Sequence, residues 1–253
     1  KTDIIYDLTH NGSIYFLSRP RRFGKSLLVS TLENYYSGRK ELFRGLAIEK
    51  METEWNEYPV FHVDFNATNF TNLGELEKKL NFYLVEWEQK YNLPVRVNEL
   101  GLGDRFIKIL EAAHLQTGRR AVVLVDEYDK PILDVLDVDT NLEDSHRNIL
   151  KAFYSVFKGA DKHLQFVLLT GVTKFSQVSV FSGFNQPKDI SMDVRYEALC
   201  GITQEEIGKY FTEPVSQMAV EYQCTPEEMY KLLKKQYDGY HFSDKLTDIY
   251  NPF

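Results

Sequence analysis

The sequence predicts an α/β fold in three layers, a parallel sheet with helices on both faces, followed by a small C-terminal helical lid. Four short apolar runs of strand length, Ser13 to Ser18, Pro59 to Phe65, Ala121 to Val125 and Leu164 to Thr170, alternate with segments of helical spacing. Strands that are apolar throughout need cover on both faces, which is the condition of a parallel sheet. After about Gly201 these runs stop and capped helical segments take over. A chain of 253 residues has room for one sizeable α/β unit and an appendage, so the expected boundaries are 1–200 for the core and 201–253 for the lid.

The elements follow in order. SIYFLS (Ser13 to Ser18) is a strand, and KSLLVSTLENYY (Lys25 to Tyr36) repeats apolar residues at helical spacing until Ser37-Gly38 stops it. PVFHVDF (Pro59 to Phe65) is a second buried strand. From Leu73 to Tyr91 the apolar residues Leu76, Leu80, Tyr83, Leu84 and Trp87 share one helix face, and the turn Asn92-Leu93-Pro94 closes that helix. Asp104 to His114 is a further helix, ended near Gly118, and AVVLV (Ala121 to Val125) is the most strand-like run of all. An acidic loop is expected from Asp137 to Asp144, then a helix near His146 to Phe157, then the strand LQFVLLT (Leu164 to Thr170). In the tail, Thr203 precedes Glu205-Glu206, and Thr225 precedes Pro226-Glu227-Glu228; both are helix starts with a capping hydroxyl and acidic first turn.

Composition removes several classes of function. With 43% hydrophobic and 26% charged residues the chain reads as an ordinary globular protein, and no apolar run approaches a membrane span. A net charge of −7 argues against holding DNA by bulk charge. The two cysteines, Cys200 and Cys224, lack metal-ligand spacing and suit a reducing, cytoplasmic setting. Six scattered histidines show neither an i, i+4 pair nor a nucleophile partner, so metallohydrolase and triad chemistry find no support. The sequence opens at Lys1 and stops at Asn251-Pro252-Phe253, which suggests a fragment.

Between the first strand and the first long helix lies Arg19-Pro20-Arg21-Arg22-Phe23-Gly24-Lys25-Ser26, followed by Leu27. Gly24-Lys25-Ser26 completes the phosphate-loop pattern G-x-x-x-x-G-K-[ST], in which backbone N–H groups face phosphate oxygens, Lys reaches the β and γ groups and Ser ligates magnesium. Arg19 stands where the pattern has its first glycine, and Pro20 restricts both itself and Arg19, so proline stiffens the loop where others use glycine. Arg19, Arg21 and Arg22 then read either as phosphate ligands or as a solvated basic surface. The nucleotide-binding set is accordingly Arg19 to Leu27, with Lys25 also catalytic.

The second half of the site ends the strongest strand. Four apolar residues lead into Asp126-Glu127, where Asp126 joins Ser26 in holding Mg2+ and Glu127 polarises the attacking water. Ligands in such sheets bind beyond the strand C-termini. The strand at Val60 to Asp64, lying between the two motifs, points to the phosphate-loop subclass with an inserted strand and a catalytic Glu beside the Asp. Thr170, ending the next strand, is the expected γ-phosphate sensor, with Thr173 the alternative. Asp64 reads as a cap or supporting group, and Asp129 and Lys130, just after the motif, read equally as site residues or as a surface pair. Arg147 and Arg195 are arginine-finger candidates, and the cluster Tyr237, Tyr240 and Phe242 reads as packing between lid and sheet or as an adenine platform.

With those residues in view, the chain resembles the bacterial and archaeal AAA-ATPase-like family whose loop reads R-P-R-R-F-G-K-S. The likeness runs from Lys1-Thr2 and Ile4-Ile5 through Tyr15-Phe16-Leu17 and the loop to Leu124-Val125-Asp126-Glu127-Tyr128-Asp129-Lys130-Pro131. It continues in Thr170-Gly171-Val172-Thr173-Lys174-Phe175-Ser176, Leu199-Cys200-Gly201-Ile202-Thr203 and Tyr237-Asp238-Gly239-Tyr240-His241-Phe242. Arg19 is then the family's own residue at that position. The resemblance implies an AAA-like (ASCE) P-loop NTPase sheet of order 5-1-4-3-2, a helical lid, and in longer relatives a PD-(D/E)XK nuclease-like domain absent here. The expected activity is Mg2+-dependent ATP hydrolysis regulating an attached or partner effector. The alternatives are a switch that holds ATP or ADP with negligible turnover, or a DNA-associated ATPase that regulates a nuclease; assembly into an oligomer is also open.

Overall fold

The computed structural model describes residues 1–97, 99–174 and 187–252; Phe175 and Ser176 of the fifth quoted segment, and Phe253, lie outside them. Helix α1 (Thr2–His10), which the sequence reading did not identify, precedes β1 (Ile14–Ser18) and α2 (Lys25–Tyr36). A short α3 (Ala47–Met51) leads to β2 (Val60–Asp64), and α4 (Glu75–Lys90) and α5 (Leu102–Thr117) to β3 (Ala121–Asp126). Then come α6 (Lys130–Leu133), α7 (Thr140–Tyr154), α8 (Val156–Gly159), β4 (Leu164–Gly171) and the two-residue β5 (Lys188–Asp189). The expected acidic loop is a correction. From Thr140 onward it is already α7, because Asp139 accepts the Leu142 N–H at 3.0 Å and starts the helix six residues before His146.

The five strands form one parallel sheet in the order β2-β3-β4-β1-β5. Successive side chains of a strand point to opposite faces, and the burial follows that rule. Val123, Val125, Val167 and Leu169 join the core under α4, α5 and α7, whereas Val122, Leu124, Phe166 and Leu168 join the core under α1 and α2. Every residue of β3 is buried, which is why AVVLV shows no alternation in the sequence.

Beyond Gly201 the chain forms β6 (Ile202–Thr203), α9 (Gln204–Tyr210), α10 (Thr212–Glu221), α11 (Pro226–Tyr237) and β7 (Ile249–Tyr250), with β6 and β7 antiparallel. Thr203 with Glu206, and Thr225 with Glu228, each close a reciprocal capping box at the start of a helix. These helices enclose a small third core of Ile207, Val215, Ala219, Met229 and Tyr250.

Parallel pairing sets the strand ends side by side. Ser18 lies opposite Gly171, and Asp64 opposite Asp126. Three segments that leave the sheet after Ser18, Asp126 and Gly171 therefore meet at one edge.

Candidate active site

The loop after β1 begins as a continuation of the sheet, since the Arg19 N–H donates to the Gly171 carbonyl at 3.1 Å. It then reverses direction through two left-handed residues, Arg22 at φ 68° and Gly24 at φ 89°. Nothing lies within 4 Å of where a Gly24 Cβ would sit, so conformation and not space calls for glycine there. Gly24 is the N-cap of α2, and its carbonyl accepts the first helical bond, from Leu28 N, at 3.0 Å. The N–H groups of Lys25, Ser26 and Leu27 have no acceptor within their own helix. Ser26 and Leu27 are exposed, Leu27 at 71%, so the positive end of α2 opens to solvent as an anion site requires.

Lys25 does not share that exposure. Its side chain is 4% exposed, and Nζ donates to the carbonyls of Arg19 at 3.1 Å and Pro20 at 3.3 Å while lying 3.4 Å from Glu127 Oε1. The ammonium closes the loop on itself and ties it to the end of β3. Glu127 occupies the left-handed region at φ 55°, which for a residue with a Cβ costs about 1 to 2 kcal/mol. Its N–H lies 3.4 Å from Thr170 Oγ1, and the next N–H, of Tyr128, donates to the Thr170 carbonyl at 2.9 Å. The strained turn at Glu127 is thus held by the end of β4.

Asp126 is 2% exposed and its carboxylate is fixed from two sides. Oδ1 accepts from the Thr170 hydroxyl at 2.5 Å, and Oδ2 accepts from Asn66 Nδ2 at 3.2 Å. Asn66 is in turn oriented by Asp64, whose Oδ1 accepts the Asn66 N–H at 2.7 Å. Asp64 therefore acts as a turn residue supporting the site, and Asn66 is a site residue that sequence reasoning missed. The D-x-N spacing, an Asx turn directly after a strand, was its only signal.

The arginines of the loop divide. Arg21 and Arg22 are exposed, whereas Arg19 is 1% exposed. Arg19 Nη1 donates to the carbonyls of Ser18 at 2.9 Å and Ser191 at 2.7 Å, Nη2 to Tyr196 at 3.2 Å, and the guanidinium sits 4.0 Å from the Phe242 ring centroid. Burial pulls its pKa down to about 10, so it stays charged at neutral pH. Phe23 is buried edge-on against Tyr240 and Phe242, with centroids 4.8 and 5.5 Å away, and its carbonyl accepts from Gly201 N at 2.9 Å. Tyr240 and Phe242 thus pack on the loop through Phe23 and Arg19, while Tyr237 is 39% exposed. Pro20 is partly buried between these anchors.

The remaining candidates lie elsewhere or serve other ends. The expected Asp129–Lys130 surface pair is a correction: Asp129 is fully buried, and Oδ2 accepts from Thr173 N and Oγ1, both at 2.8 Å, and from Val172 N at 3.0 Å. Lys130 instead pairs with Asp134 at 2.6 Å, one helical turn on. Thr173 is consequently committed to Asp129, and Thr170 is the threonine that touches Asp126. Arg147 pairs with Glu143 on α7, and Arg195 with Asp193 at 2.6 Å. Cys200 is buried, which pushes its thiol up to about 11 and leaves it inert. Among the described residues no cluster of three or more His, Cys, Asp or Glu side chains could hold a metal by itself, and no helix is long and apolar enough to cross a membrane.

Comparison with known proteins bears on this geometry. A family model described as "Predicted AAA-ATPase" matches residues 1–181. A protein of Azotobacter chroococcum mcd 1, described as "Uncharacterized protein in vnfD 5'region", is 38% identical over 256 aligned residues covering all of this chain. The chain spans 46% of that relative's length.

Proposed function

Given that the chain belongs to the AAA-ATPase-like family, we propose that it binds ATP together with Mg2+ at the Arg19 to Leu27 loop and hydrolyses it. The observation that carries the reading is the meeting of Lys25 and Glu127 at 3.4 Å, beside an Asp126 carboxylate locked in place by Thr170 and Asn66. The start of α2 and the end of β3 supply in one place a phosphate-binding cation, an acidic group to orient water and a metal ligand that Thr170 of β4 and Asn66 beyond β2 hold in place.

The donor set suits Mg2+. That ion keeps most of its waters and takes one or two protein oxygens plus phosphate, so a caged cluster is not needed. Ser26 Oγ and Asp126 would hold it, and each Asp126 oxygen keeps a lone pair beyond the bond it accepts. Held by these two residues, Mg2+ would supply charge neutralisation at the β and γ phosphates. The chain's own residues do the rest. When phosphates enter the N-terminus of α2, Lys25 exchanges two neutral carbonyls and Glu127 for them. Glu127, released from its ion pair, accepts a hydrogen bond from the attacking water and draws off its proton. Thr170 keeps Asp126 and the Glu127 backbone in register. Arg21 and Arg22 reach phosphate from the exposed side of the loop, and Arg19 braces it from within.

The same reading treats the sheet as the ASCE arrangement 5-1-4-3-2, supported by a strand between those of the loop and of Asp126, and treats 201–253 as a lid on 1–200. Phe23, packed on Tyr240 and Phe242, connects the two and would pass nucleotide state on to an attached or partner effector. Phosphate release from Mg2+ and ATP, compared between the wild type and Lys25→Ala, is the test. Release no greater than that of the variant would sink the enzymatic claim. A slow nucleotide switch is the second reading, supported by Glu127 being engaged with Lys25; ADP or ATP retained through purification favours it.

A further inference from the structure

Helix α2 has a site at each end. Twelve residues at about 1.5 Å each place the two ends about 18 Å apart. At the Tyr36 end, by the N-terminal edge of the sheet, a cavity of about 290 Å³ is lined by Tyr6, His10, Tyr35, Glu52, Trp55 and Tyr58, among others. Its size is near the lower bound for small-molecule pockets. Glu52 is 9% exposed: Oε2 accepts from the Tyr35 hydroxyl, Oε1 accepts the Glu54 N–H at 2.9 Å, and His10 Nε2 lies 3.8 Å away. Tyr36, a further lining residue, is 3% exposed and its hydroxyl has no hydrogen-bond partner; nor has Trp55 Nε1.

We propose that this pocket binds a small organic cation, an amine or guanidinium compound. Three features select positive charge. The buried Glu52 carboxylate lies in the wall, with Glu54 also lining the cavity. Helices α1 and α2 both end beside it, at His10 and Tyr36, where the partial charge of a helix is negative. Aromatic side chains line it, and an aromatic face attracts cations. The rim already shows the chemistry in use. The Arg119 guanidinium lies 5.7 Å from the Tyr58 ring centroid and donates to Asn56 Oδ1 at 2.8 Å, while Arg120 donates to Gln165 Oε1 at 2.7 Å. The same features repel phosphate, which separates this pocket from the loop at the other end of α2. This inference stands whether or not the chain hydrolyses ATP.

Trp55 reports on the site, because Trp87, the second of two tryptophans, is buried in the opposite core. Agmatine, titrated at constant ionic strength into the full chain, is expected to give a saturable change in tryptophan emission that sodium chloride does not give. Glu52→Gln should weaken it about tenfold or more, as for a charge-assisted contact withdrawn from water. Tyr6→Leu, which removes a ring without touching Glu52, should weaken it about two- to fivefold. ATP should leave it in place. No saturation by about 10 mM agmatine, affinity unchanged in both variants, or displacement by ATP would each overturn the proposal.

Discussion

Lys25 and Glu127, 3.4 Å apart and 4% and 13% exposed, form an ion pair that joins the loop after β1 to the end of β3. The pair has a direct chemical consequence. A glutamate bound to the lysine is a poor acceptor for water, so in the proposed reaction phosphate entry would both bind Lys25 and unmask Glu127.

Removing the acid should separate binding from turnover. Glu127→Gln keeps the hydrogen-bonding shape of the side chain but cannot take a proton, and is expected to lower phosphate release by about 10²- to 10⁴-fold. Nucleotide affinity, followed with a fluorescent ATP analogue, should fall little or rise. A variant that loses binding in step with turnover would show Glu127 to be structural.

The three loop arginines should behave as two classes. Arg19→Ala strips the Ser191 and Tyr196 carbonyls of a buried donor and uncovers Phe242, with an expected loss of about 1 to 3 kcal/mol in urea unfolding. Arg21→Ala and Arg22→Ala, at exposed positions, should change stability by less than about 0.5 kcal/mol yet weaken ATP binding. Equal destabilisation by all three would contradict this division.

Thr170→Val should act through Asp126. Its hydroxyl is the 2.5 Å donor to Oδ1, and valine leaves that buried carboxylate oxygen short of a bond, at a cost of about 1 to 3 kcal/mol. Thr170→Ser should restore most of the stability and the magnesium dependence of turnover. Failure of serine to rescue would show that the methyl packing matters and the hydroxyl does not.

One ion pair gives stability a pH signature. His62 on β2 meets Glu33 on α2 at 3.1 Å. Burial lowers the His62 pKa, but the hydrogen bond and charge of Glu33 outweigh it and the net shift is upward; the bond from His62 holds Glu33 below its usual range despite burial. A raised histidine stabilises below its ordinary 6.5 and loses that contribution as pH rises through the folded-state value. A lowered glutamate stabilises above its ordinary 4.5 and loses that contribution as pH falls. The pair is therefore complete between 4.5 and 6.5. His62→Asn should lower the melting temperature more at pH 5.5 than at pH 8.5, as followed by circular dichroism; an equal drop at both would assign the residue a packing role alone.

The sequence by itself determined the four long strands, most of the long helices and the chemical inventory, but not α1 or the start of α7. Apolar runs of strand length located β1 to β4 because a strand covered on both faces has to be apolar along its whole length, and Thr203 and Thr225 marked helix starts because a capping box is a local motif. Lys25, Ser26, Asp126 and Glu127 stood out as candidates for the same reason: each belongs to a short motif attached to a strand end. Tertiary structure decided which side chains of those motifs stay at the surface and which turn into the protein. Arg19, Arg21 and Arg22 are the same residue type within four positions, yet Arg21 and Arg22 stay exposed while Arg19 is buried among carbonyls and a ring that come from Ser191, Tyr196 and Phe242. Asp129 likewise became a buried acceptor for Val172 and Thr173, and Asn66 a clamp on Asp126, through parallel pairing that sets distant strand ends side by side. Burial and partner choice are long-range properties, and a local pattern of residues carries no record of them.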